Sequence, residues 1–229
     1  MRRLPAISRA CAPTKMVADQ VRGCFVTIEG IEGVGKSTNI VHLVGAIEAA
    51  GHGVLVTREP GGTPMAERIR DLVASHGDEP MPDVAELLLV FAARALHVNN
   101  VIRPALEAGT WVVCDRFTDS SRAYQGGGRG LPAADIDLLA DWVHGDIEPD
   151  LTILLDAPVE VGMQRAGKRS DPDRFESEQS EFFERVRLTY LQLAEKDPGR
   201  FVVVDATQAL ETVQLAVDDI ANVLLGDHN

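Results

Sequence analysis

The fold of this chain follows from eight residues, Gly30-Ile31-Glu32-Gly33-Val34-Gly35-Lys36-Ser37. They fit the pattern G-x-x-x-x-G-K-[ST] of a phosphate-binding loop (P-loop). The context also fits, because an apolar run over residues 24–29 precedes the loop and a helical pattern over residues 36–50 follows it. Glycines let successive backbone N–H groups point at one phosphate, and the helix start adds its positive end. The stretch predicts a strand–loop–helix unit that binds a nucleoside triphosphate.

Each position of this loop has an expected role. Lys36 supplies a point charge to the β- and γ-phosphates, and Ser37 offers its hydroxyl oxygen to Mg²⁺. The magnesium ion is therefore the expected cofactor, bound together with the nucleoside triphosphate. The residues expected to bind the triphosphate are Gly30, Ile31, Glu32, Gly33, Val34, Gly35, Lys36, Ser37 and Thr38.

The rest of the chain alternates short apolar runs with longer amphipathic segments. The predicted strands are 24–29, 54–58, 111–115, 151–156 and 201–205. Their nearly continuous Val, Ile and Leu content is typical of parallel strands buried on both faces. The predicted helices are 36–50, 64–75, 83–107, 133–144, 158–168, 177–196 and 209–225, with an interruption near Pro104. This alternation predicts one α/β domain, a five-stranded parallel sheet flanked by helices.

Charge and cysteine content limit the partners and the compartment. The formal net charge is −13, although residues 1–15 contribute +4. An acidic body approaches a polyanion against its own field, so we expect no nucleic-acid partner. No apolar run approaches the ~20 residues of a membrane span. Three widely spaced cysteines, Cys11, Cys24 and Cys114, fit a reducing cytoplasm better than a disulfide framework.

The N-terminal residues differ from the rest of the chain. Residues 1–22 lack hydrophobic periodicity, and their first part is rich in arginine and poor in acid. We interpret them as a disordered tail or a start assigned too early, ahead of a domain over residues 23–226; a targeting peptide is the alternative.

Arginines at strand ends supply a candidate second half of the site. Ligands of open α/β sheets bind beyond the carboxyl ends of the strands. Arg58 ends the second predicted strand, and Asp115-Arg116 ends the third. Asp115 is placed to hold the Mg²⁺ shell, and Arg116 to bind a phosphate in fork geometry. Arg94 follows Phe91 at a helical spacing of three, so both side chains lie near one helix face.

Four further stretches resemble one family. TREPGGT (57–63), FAAR (91–94), DRFTDSSRAYQGGGRG (115–130) and DATQ (205–208) are similar to thymidylate kinases, over residues 24–225. The resemblance implies a P-loop kinase fold with a lid, and in-line transfer of the γ-phosphoryl group of ATP to dTMP. It also implies a cytoplasmic homodimer, for which the apolar helix at residues 85–102 is either the interface or internal core.

The resemblance also implies a role for each matching residue. Arg58 and Arg116 match arginines that grip the acceptor 5′-phosphate. Arg94 and Gln125 match residues that hydrogen-bond the thymine edge, which an amide can do independently of the resemblance. Two further matches are Ser121, which touches the base, and Tyr124, which lies beneath the sugar and disfavours a 2′-hydroxyl. The family stacks a phenylalanine on thymine at the position of Val90. Here either Phe91 takes its place, and is then a substrate contact, or the stacking on the base is weaker.

The irregular segment at about 167–178, GKRSDPDRFESE, is the expected lid. Its basic residues are Arg169 and Arg174, and Arg165 precedes it as an expected ATP contact. Because Glu32 stands where some members carry a basic P-loop residue, the chain resembles the subtype whose catalytic arginine comes from the lid. Arg169 is the first candidate for that arginine and Arg174 the second. The expected catalytic set is Lys36, Arg58, Asp115, Arg116 and Arg169.

Two other functions remain open at this stage. A kinase for dUMP or for a deoxynucleoside would share the P-loop, and Glu59 could serve as the base that activates a hydroxyl. A nucleotide-dependent switch would share it too, but the chain has no N-K-x-D guanine motif. A switch would also have no use for the set of acceptor residues named above.

Overall fold

The chain is described by a computed structural model that covers residues 22–76, 79–167, 174–175 and 178–226. Within these residues, five parallel strands form one sheet in the order β2-β3-β1-β4-β5. They are β1 (Phe25–Glu29), β2 (Val54–Arg58), β3 (Trp111–Asp115), β4 (Leu151–Asp156) and β5 (Phe201–Asp205). The predicted five-stranded parallel sheet is confirmed. The predicted N-terminal extension lies outside the described residues except for Arg22.

Burial differs between the inner and the edge strands. The inner strands β1, β3 and β4 are buried almost throughout, as their apolar runs predict. The edge strands β2 and β5 expose side chains such as Val56 and Val203, so the prediction that all five strands are buried on both faces was wrong for these two. An edge strand has a neighbouring strand on one side only, and amino-acid composition does not distinguish an edge strand from an inner strand.

Nine α-helices surround the sheet in the described part of the chain. They are α1 (Lys36–Ala49), α2 (Pro64–Ala74), α3 (Asp83–His97), α4 (Arg103–Glu107), α5 (Thr118–Ser121), α6 (Ala133–His144), α7 (Val159–Ala166), α8 (Ser180–Lys196) and α9 (Leu210–Gly226). Helices α1, α8 and α9 share one large apolar core with one face of the sheet. The end of the α3–α4 run packs on the other face. The predicted helix at 177–196 begins later, at Ser180, and residues 176–177 lie outside the described residues.

The long helix predicted over residues 83–107 continues through a π-helical turn, Val98–Ile102, which joins α3 to α4. The N–H of Arg103 bonds to the carbonyl of Val98, five residues earlier. Pro104 follows at once and has no N–H to donate, which explains the interruption predicted there. By length and composition the run Asp83–Glu107 could cross a membrane, but half of its most apolar window is buried inside the protein.

A second π-helical segment, Arg122–Gly128, follows the short helix α5, and neither was predicted. Ser, Asp and three consecutive glycines are poor helix formers, so propensity argues against a helix here. The structure shows why glycine is required. A Cβ on Gly127 would lie 2.0 Å from Thr189 Oγ1, and one on Gly128 would lie 2.4 Å from a ring carbon of Phe182. The glycines therefore let this segment pack directly against α8.

Helix α7 makes an equally close approach to the P-loop. A Cβ on Gly162 would lie 2.6 Å from the carbonyl oxygen of Glu32, and one on Gly33 would lie 1.9 Å from the carbonyl oxygen of Gly162. Gly33 also has a φ of +74°, in the left-handed region. The position of the loop is thus fixed by backbone-to-backbone contact with α7.

We expect Gly162→Ala to lower the free energy of unfolding by about 1–3 kcal/mol, because the added methyl overpacks this contact. The matched control is Gly45→Ala in α1, where nothing lies within 4 Å of the added Cβ. There the same change should stabilise the protein by about 0.5–1 kcal/mol through helix propensity. Urea unfolding of both variants measures the difference, and equal effects would contradict the proposed contact.

Candidate functional site

The P-loop connects the end of β1 to the start of α1. Gly30, Gly33 and Gly35 all have positive φ, which explains why glycine stands at each of them. Lys36 folds back over the loop, and its Nζ donates to the carbonyl oxygens of Gly30 and Ile31 at 3.1 and 3.0 Å. Burial and the nearby Arg116 lower the pKa of Lys36 to about 8, although three carboxylates oppose the shift. A phosphate at this position would gain a closely held cation.

A polar cavity opens above the loop. Its lining contains Glu32, Gly33, Gly35, Lys36, Ser37, Arg58, Glu59, Arg70, Asp115, Arg116 and Ala166. Asp115 Oδ1 is buried without a hydrogen-bond partner among the described residues. A carboxylate oxygen without a donor, beside a serine hydroxyl and a lysine, suits a hard cation that also binds phosphate oxygens. Ser37 and Asp115, the predicted magnesium residues, therefore line one cavity and fit that ion.

A second, more apolar cavity adjoins the first and encloses about 630 Å³, including its open mouth. Its lining contains Glu32, Glu59, Pro60, Arg70, Val73, Ala74, Val90, Arg94, Arg116, Phe117, Ser120, Ser121, Tyr124, Gln125 and Phe175. Glu32, Glu59, Arg70 and Arg116 line both cavities. The two spaces therefore meet at a charged junction, and we call the second one the acceptor cavity.

Arg116 lies at this junction and has a non-glycine φ of +71°. Its guanidinium donates to Glu32 Oε1 at 2.9 Å, to Ser120 Oγ at 3.3 Å and to the Tyr190 hydroxyl at 3.2 Å. It also lies 4.8 Å from the centre of the Tyr124 ring. Backbone strain of this kind persists only where the surroundings fix the conformation, and here four side chains do so.

Glu29, the last residue of β1, ties this region together and was not predicted. Its carboxylate is fully buried and accepts the backbone N–H of Phe117 at 2.7 Å, the Ser120 hydroxyl at 2.6 Å and the Tyr190 hydroxyl at 2.8 Å. Burial, with a contribution from Asp119, raises its pKa to about 7. The residue just before the P-loop thus holds the hydroxyl groups that contact Arg116.

Arg94 enters the acceptor cavity from α3 and is 1% exposed. Its Nε donates to Glu59 Oε2 at 2.6 Å, and its Nη2 donates to Ser121 Oγ at 3.0 Å and to the Phe117 carbonyl at 3.2 Å. Its Nη1 is buried without a partner among the described residues. Because a buried guanidinium donor without a partner is costly, this atom marks a place where a ligand oxygen would bind.

Glu59 is occupied on both oxygens. His97 Nδ1 lies 3.0 Å from Oε1, opposite the bond to Arg94, and His97 Nε2 lies 2.7 Å from the Thr57 hydroxyl. Burial alone would raise the pKa of Glu59, but the Arg94 charge and the His97 hydrogen bond bring it below the ordinary value. Glu59 therefore acts as the partner of Arg94 and is poorly suited to be the general base considered above.

The unpredicted α5 and π-helical segment bring Ser121, Tyr124 and Gln125 to the acceptor cavity. The Tyr124 hydroxyl donates to both oxygens of Glu32, at 2.7 and 2.8 Å. Gln125 donates from Nε2 to Glu86 Oε1 at 2.8 Å. Glu86 is fully buried in α3, and a lone charge within the apolar run of this helix was a signal that the sequence analysis did not use.

Phe91 does not line the acceptor cavity, contrary to expectation; Val90 does. Phe91 packs with Leu87, Ile136 and Ala140, between α3 and α6, and its ring centre lies 4.5 Å from the Arg94 guanidinium. Neighbouring helical positions differ by ~100°, so residues 90 and 91 face different partners. Phe91 therefore supports Arg94 from behind.

Other expected contacts lie at the margins of the site. Arg58 lines the P-loop cavity and donates to Glu67 Oε2 at 2.8 Å. Thr38 is exposed on α1, and Ile31 and Val34 are buried and can offer only their backbone. Arg165 lines neither cavity, and its Nη1 donates to the Ala206 carbonyl at 2.7 Å.

The segment expected to form a lid is described only in part, and Arg169 lies outside the described residues. Arg174 is described: it donates to Glu86 Oε2 at 2.6 Å and to the Val73 carbonyl at 2.7 Å. Phe175 lines the acceptor cavity, with its ring centre 6.0 Å from that of Tyr124. Arg70, which lines both cavities, was also missed, since nothing in the sequence separates it from other helix-surface arginines.

Comparison with known proteins gives a consistent result. The sequence model of the family described as thymidylate kinase matches residues 28–217. The thymidylate kinase of Pseudomonas savastanoi pv. phaseolicola is 55% identical over 203 residues, which are 89% of this chain and 97% of the relative. That of Methylococcus capsulatus is 53% identical over 206 residues, 90% and 98% of the two chains. The crystal structure of thymidylate kinase from Ehrlichia chaffeensis is similar with a TM-score of 0.70 and 33% identity, covering 87% of this chain and 98% of that one.

Proposed function

The chain belongs to the thymidylate kinase family, whose members phosphorylate dTMP to dTDP with ATP, and we propose how its two cavities divide this reaction. The P-loop cavity takes the triphosphate of ATP, and the acceptor cavity takes dTMP. The observation that carries this assignment is the shared junction, where Arg116 lines both spaces. A phosphoryl group can pass directly between two ligands whose phosphates meet there, so the protein needs no nucleophile of its own.

On the donor side, the loop N–H groups and Lys36 hold the β- and γ-phosphates. Ser37 and Asp115 hold Mg²⁺, which neutralises phosphate charge when it is bound. The unpaired Asp115 Oδ1 in the same cavity as Ser37 supports this placement.

On the acceptor side, Arg116 binds the 5′-phosphate of dTMP, with Arg58 and Arg70 completing the positive surround. Arg116 already has the fixed conformation that such a contact requires, since Glu32, Ser120 and Tyr190 orient its fork. Arg58 is more exposed and lies on the P-loop side, so it contributes at the outer edge of the junction. Positioned cations of this kind offset the repulsion between two approaching phosphate groups.

The part of the acceptor cavity lined by Arg94 and Gln125 binds the thymine base. The buried, unpaired Nη1 of Arg94 donates to a carbonyl oxygen of the base, and the Gln125 amide pairs with the N3–H. Val90 and Ser121 contact the ring, and Tyr124 lies beneath the sugar. Because Val90 is smaller than phenylalanine, the stacking contribution at this position is smaller than in relatives that carry phenylalanine.

A deoxynucleoside kinase is the alternative that Glu59 left open. Activation of a substrate hydroxyl requires a carboxylate with an available oxygen. Both Glu59 oxygens accept hydrogen bonds, and its lowered pKa makes it a weaker base. An acceptor that already carries a phosphate also explains the arginines at the junction. These observations favour the monophosphate kinase.

The lid arginine Arg169 stays our first candidate for the residue that neutralises the transferring phosphoryl group. Arg174 donates hydrogen bonds to Glu86 and to the carbonyl oxygen of Val73, and it lines neither cavity. This engagement favours Arg169 by leaving Arg174 with another task. Closure of the lid also excludes water, which limits hydrolysis of ATP.

We also propose a homodimer that forms through the outer faces of three neighbouring helices, α2, α3 and α6. The long α3 run is mostly core, as Leu87, Val98 and Ile102 are buried. Its outer face and its two neighbours expose large apolar side chains, namely Met65, Leu72, Val84, Leu88, Leu138 and Trp142. Exposed apolar surface of this extent marks interaction sites.

Leu88→Glu with Trp142→Glu should halve the mass measured by sedimentation, whereas an unchanged mass would place the contact elsewhere.

We also propose that the protein is located in the cytoplasm. Cys24 and Cys114 are buried thiols that form no disulfide within the described residues, which fits the reducing cytoplasm, where ATP and dTMP are both available. The net charge of −13 favours small-molecule partners over nucleic acid or a membrane surface. Cell fractionation tests this placement.

A coupled ADP-release assay tests the proposed acceptor site. With Mg-ATP we expect turnover in the order dTMP, dUMP, then dCMP, with little for dGMP, AMP or thymidine, and none without Mg²⁺. Arg94→Ala should lower kcat/KM for dTMP by about 10–100-fold, because a charged hydrogen bond to the base is lost. Arg68→Ala, an exposed arginine of α2 that lines neither cavity, is the control. Equal losses for both variants would contradict the assignment of Arg94.

The pH dependence of ATP use tests Lys36. Since its pKa is lowered to about 8, free enzyme loses the Lys36 charge above that pH. At dTMP concentrations far below its KM, where free enzyme predominates, kcat/KM for ATP should therefore fall about tenfold per pH unit above pH 8. Lys36→Arg keeps its charge throughout this range and should lack the decline, although its rate is lower overall. A decline shared by both enzymes would assign it to another group.

A further inference from the structure

Gln125 has two chemically different ends, and the function of the acceptor cavity depends on which one faces the ligand. Its amide oxygen accepts a hydrogen bond, whereas its NH₂ group donates. We propose that Glu86 makes this choice and is a specificity-determining residue that selects thymine over cytosine. The proposal rests on the function given above, in which Gln125 pairs with N3 of the base.

The contacts of Glu86 fix its carboxylate firmly. The residue is fully buried in α3. Its Oε2 accepts from Arg174 Nη2 at 2.6 Å and from Arg129 Nε at 3.3 Å, so two guanidinium groups hold that side, and Arg129 Nε also lies 3.4 Å from Oε1. Its Oε1 accepts from Gln125 Nε2 at 2.8 Å. These contacts therefore hold the carboxylate in an orientation in which Oε1 faces Gln125 Nε2.

This arrangement sets the orientation of the amide. A carboxylate has acceptors only, so the NH₂ end of Gln125 must face Glu86. The Oε1 end then remains for the acceptor cavity, which Gln125 lines. An oxygen there accepts the N3–H of thymine or uracil. Cytosine carries an unprotonated N3, and two acceptors would oppose each other.

Arg94 provides a second point of discrimination that Glu86 does not control. Its unpaired Nη1 suits the O4 carbonyl of thymine and opposes the N4 amino group of cytosine. A change at Glu86 should therefore weaken selection of the base without abolishing it. This separation lets the contribution of Glu86 be measured alone.

Glu86→Gln is the test variant. The two guanidinium groups compete for the single carbonyl oxygen of the new amide, which leaves its NH₂ group facing Gln125. Gln125 then turns its oxygen toward residue 86 and its NH₂ group toward the base. We expect the ratio of kcat/KM for dTMP to that for dCMP to fall by about tenfold or more, the effect of opposing two donors at N3. The ratio for dTMP to dUMP should stay unchanged, because both bases carry N3–H.

Glu178→Gln is the matched control. Glu178 accepts from Arg129 Nη1 at 2.5 Å, so it belongs to the same charge cluster, but it makes no hydrogen bond to Gln125. The same chemical change there should leave the dTMP-to-dCMP ratio at the wild-type value. Equal losses for all three pyrimidine acceptors in Glu86→Gln, with no change in ratio, would mean that Glu86 is merely structural and would overturn the proposal.

Two further variants keep the result decisive. If Glu86→Gln does not fold by circular dichroism, Glu86→Asp preserves the charge but retracts the oxygen from Gln125. In Glu86→Asp the dTMP-to-dCMP ratio of kcat/KM should fall by a smaller factor than is expected for Glu86→Gln. A wild-type ratio in Glu86→Asp would overturn the proposal. Gln125→Leu tests the underlying function: an unchanged KM for dTMP would overturn the role of Gln125 and with it that of Glu86. A raised KM, together with a wild-type ratio in Glu86→Gln, would overturn the role of Glu86 alone.

Discussion

The pairing of each site arginine with a carboxylate is the interaction on which this site depends. Arg94 is held by Glu59, Arg116 by Glu32, and Arg174 by Glu86, at distances of 2.6 to 2.9 Å. A charge removed from water costs several kcal/mol unless it is paired, so these cations could not lie at the carboxyl edge of the sheet without partners. The carboxylate partners also determine the orientation of each guanidinium group. Each carboxylate occupies part of a guanidinium fork, and in Arg94 the remaining Nη1 is the atom left for a ligand.

The Arg116–Glu32 pair is in turn part of the P-loop region. Glu29 ends β1, immediately before the loop, and binds the segment at Phe117 and Ser120 that carries Arg116 toward the junction. Glu32 lies within the loop and accepts from Arg116 and Tyr124. The loop proposed to hold the donor phosphate therefore also positions the arginine proposed to bind the acceptor. Such sharing provides the fixed geometry that phosphoryl transfer needs, because catalysis without a protein nucleophile depends on placement and charge.

Close packing sets the remaining geometry. The P-loop lies against α7 at Gly162, and the π-helical segment lies against α8 at Gly127 and Gly128, where side chains would collide. These contacts explain glycines that composition alone marks only as turn formers. Ser120, Ser121, Tyr124 and Gln125 line the acceptor cavity at spacings of three and four residues, so this helical stretch presents one face to it.

The sequence by itself determined the five parallel strands, the loop that binds phosphate and the arginines at the strand ends, since these depend on local patterns and on chain order. The resemblance to thymidylate kinases at TREPGGT and at residues 115–130 identified dTMP as the expected phosphoryl acceptor. Only the tertiary structure decided that Val90 and not Phe91 faces the cavity, that Glu59 is a partner for Arg94, and that Glu86 accepts a hydrogen bond from Gln125. Those outcomes depend on helix rotation and on charges brought together from distant parts of the chain, and neither quantity is encoded in any single segment.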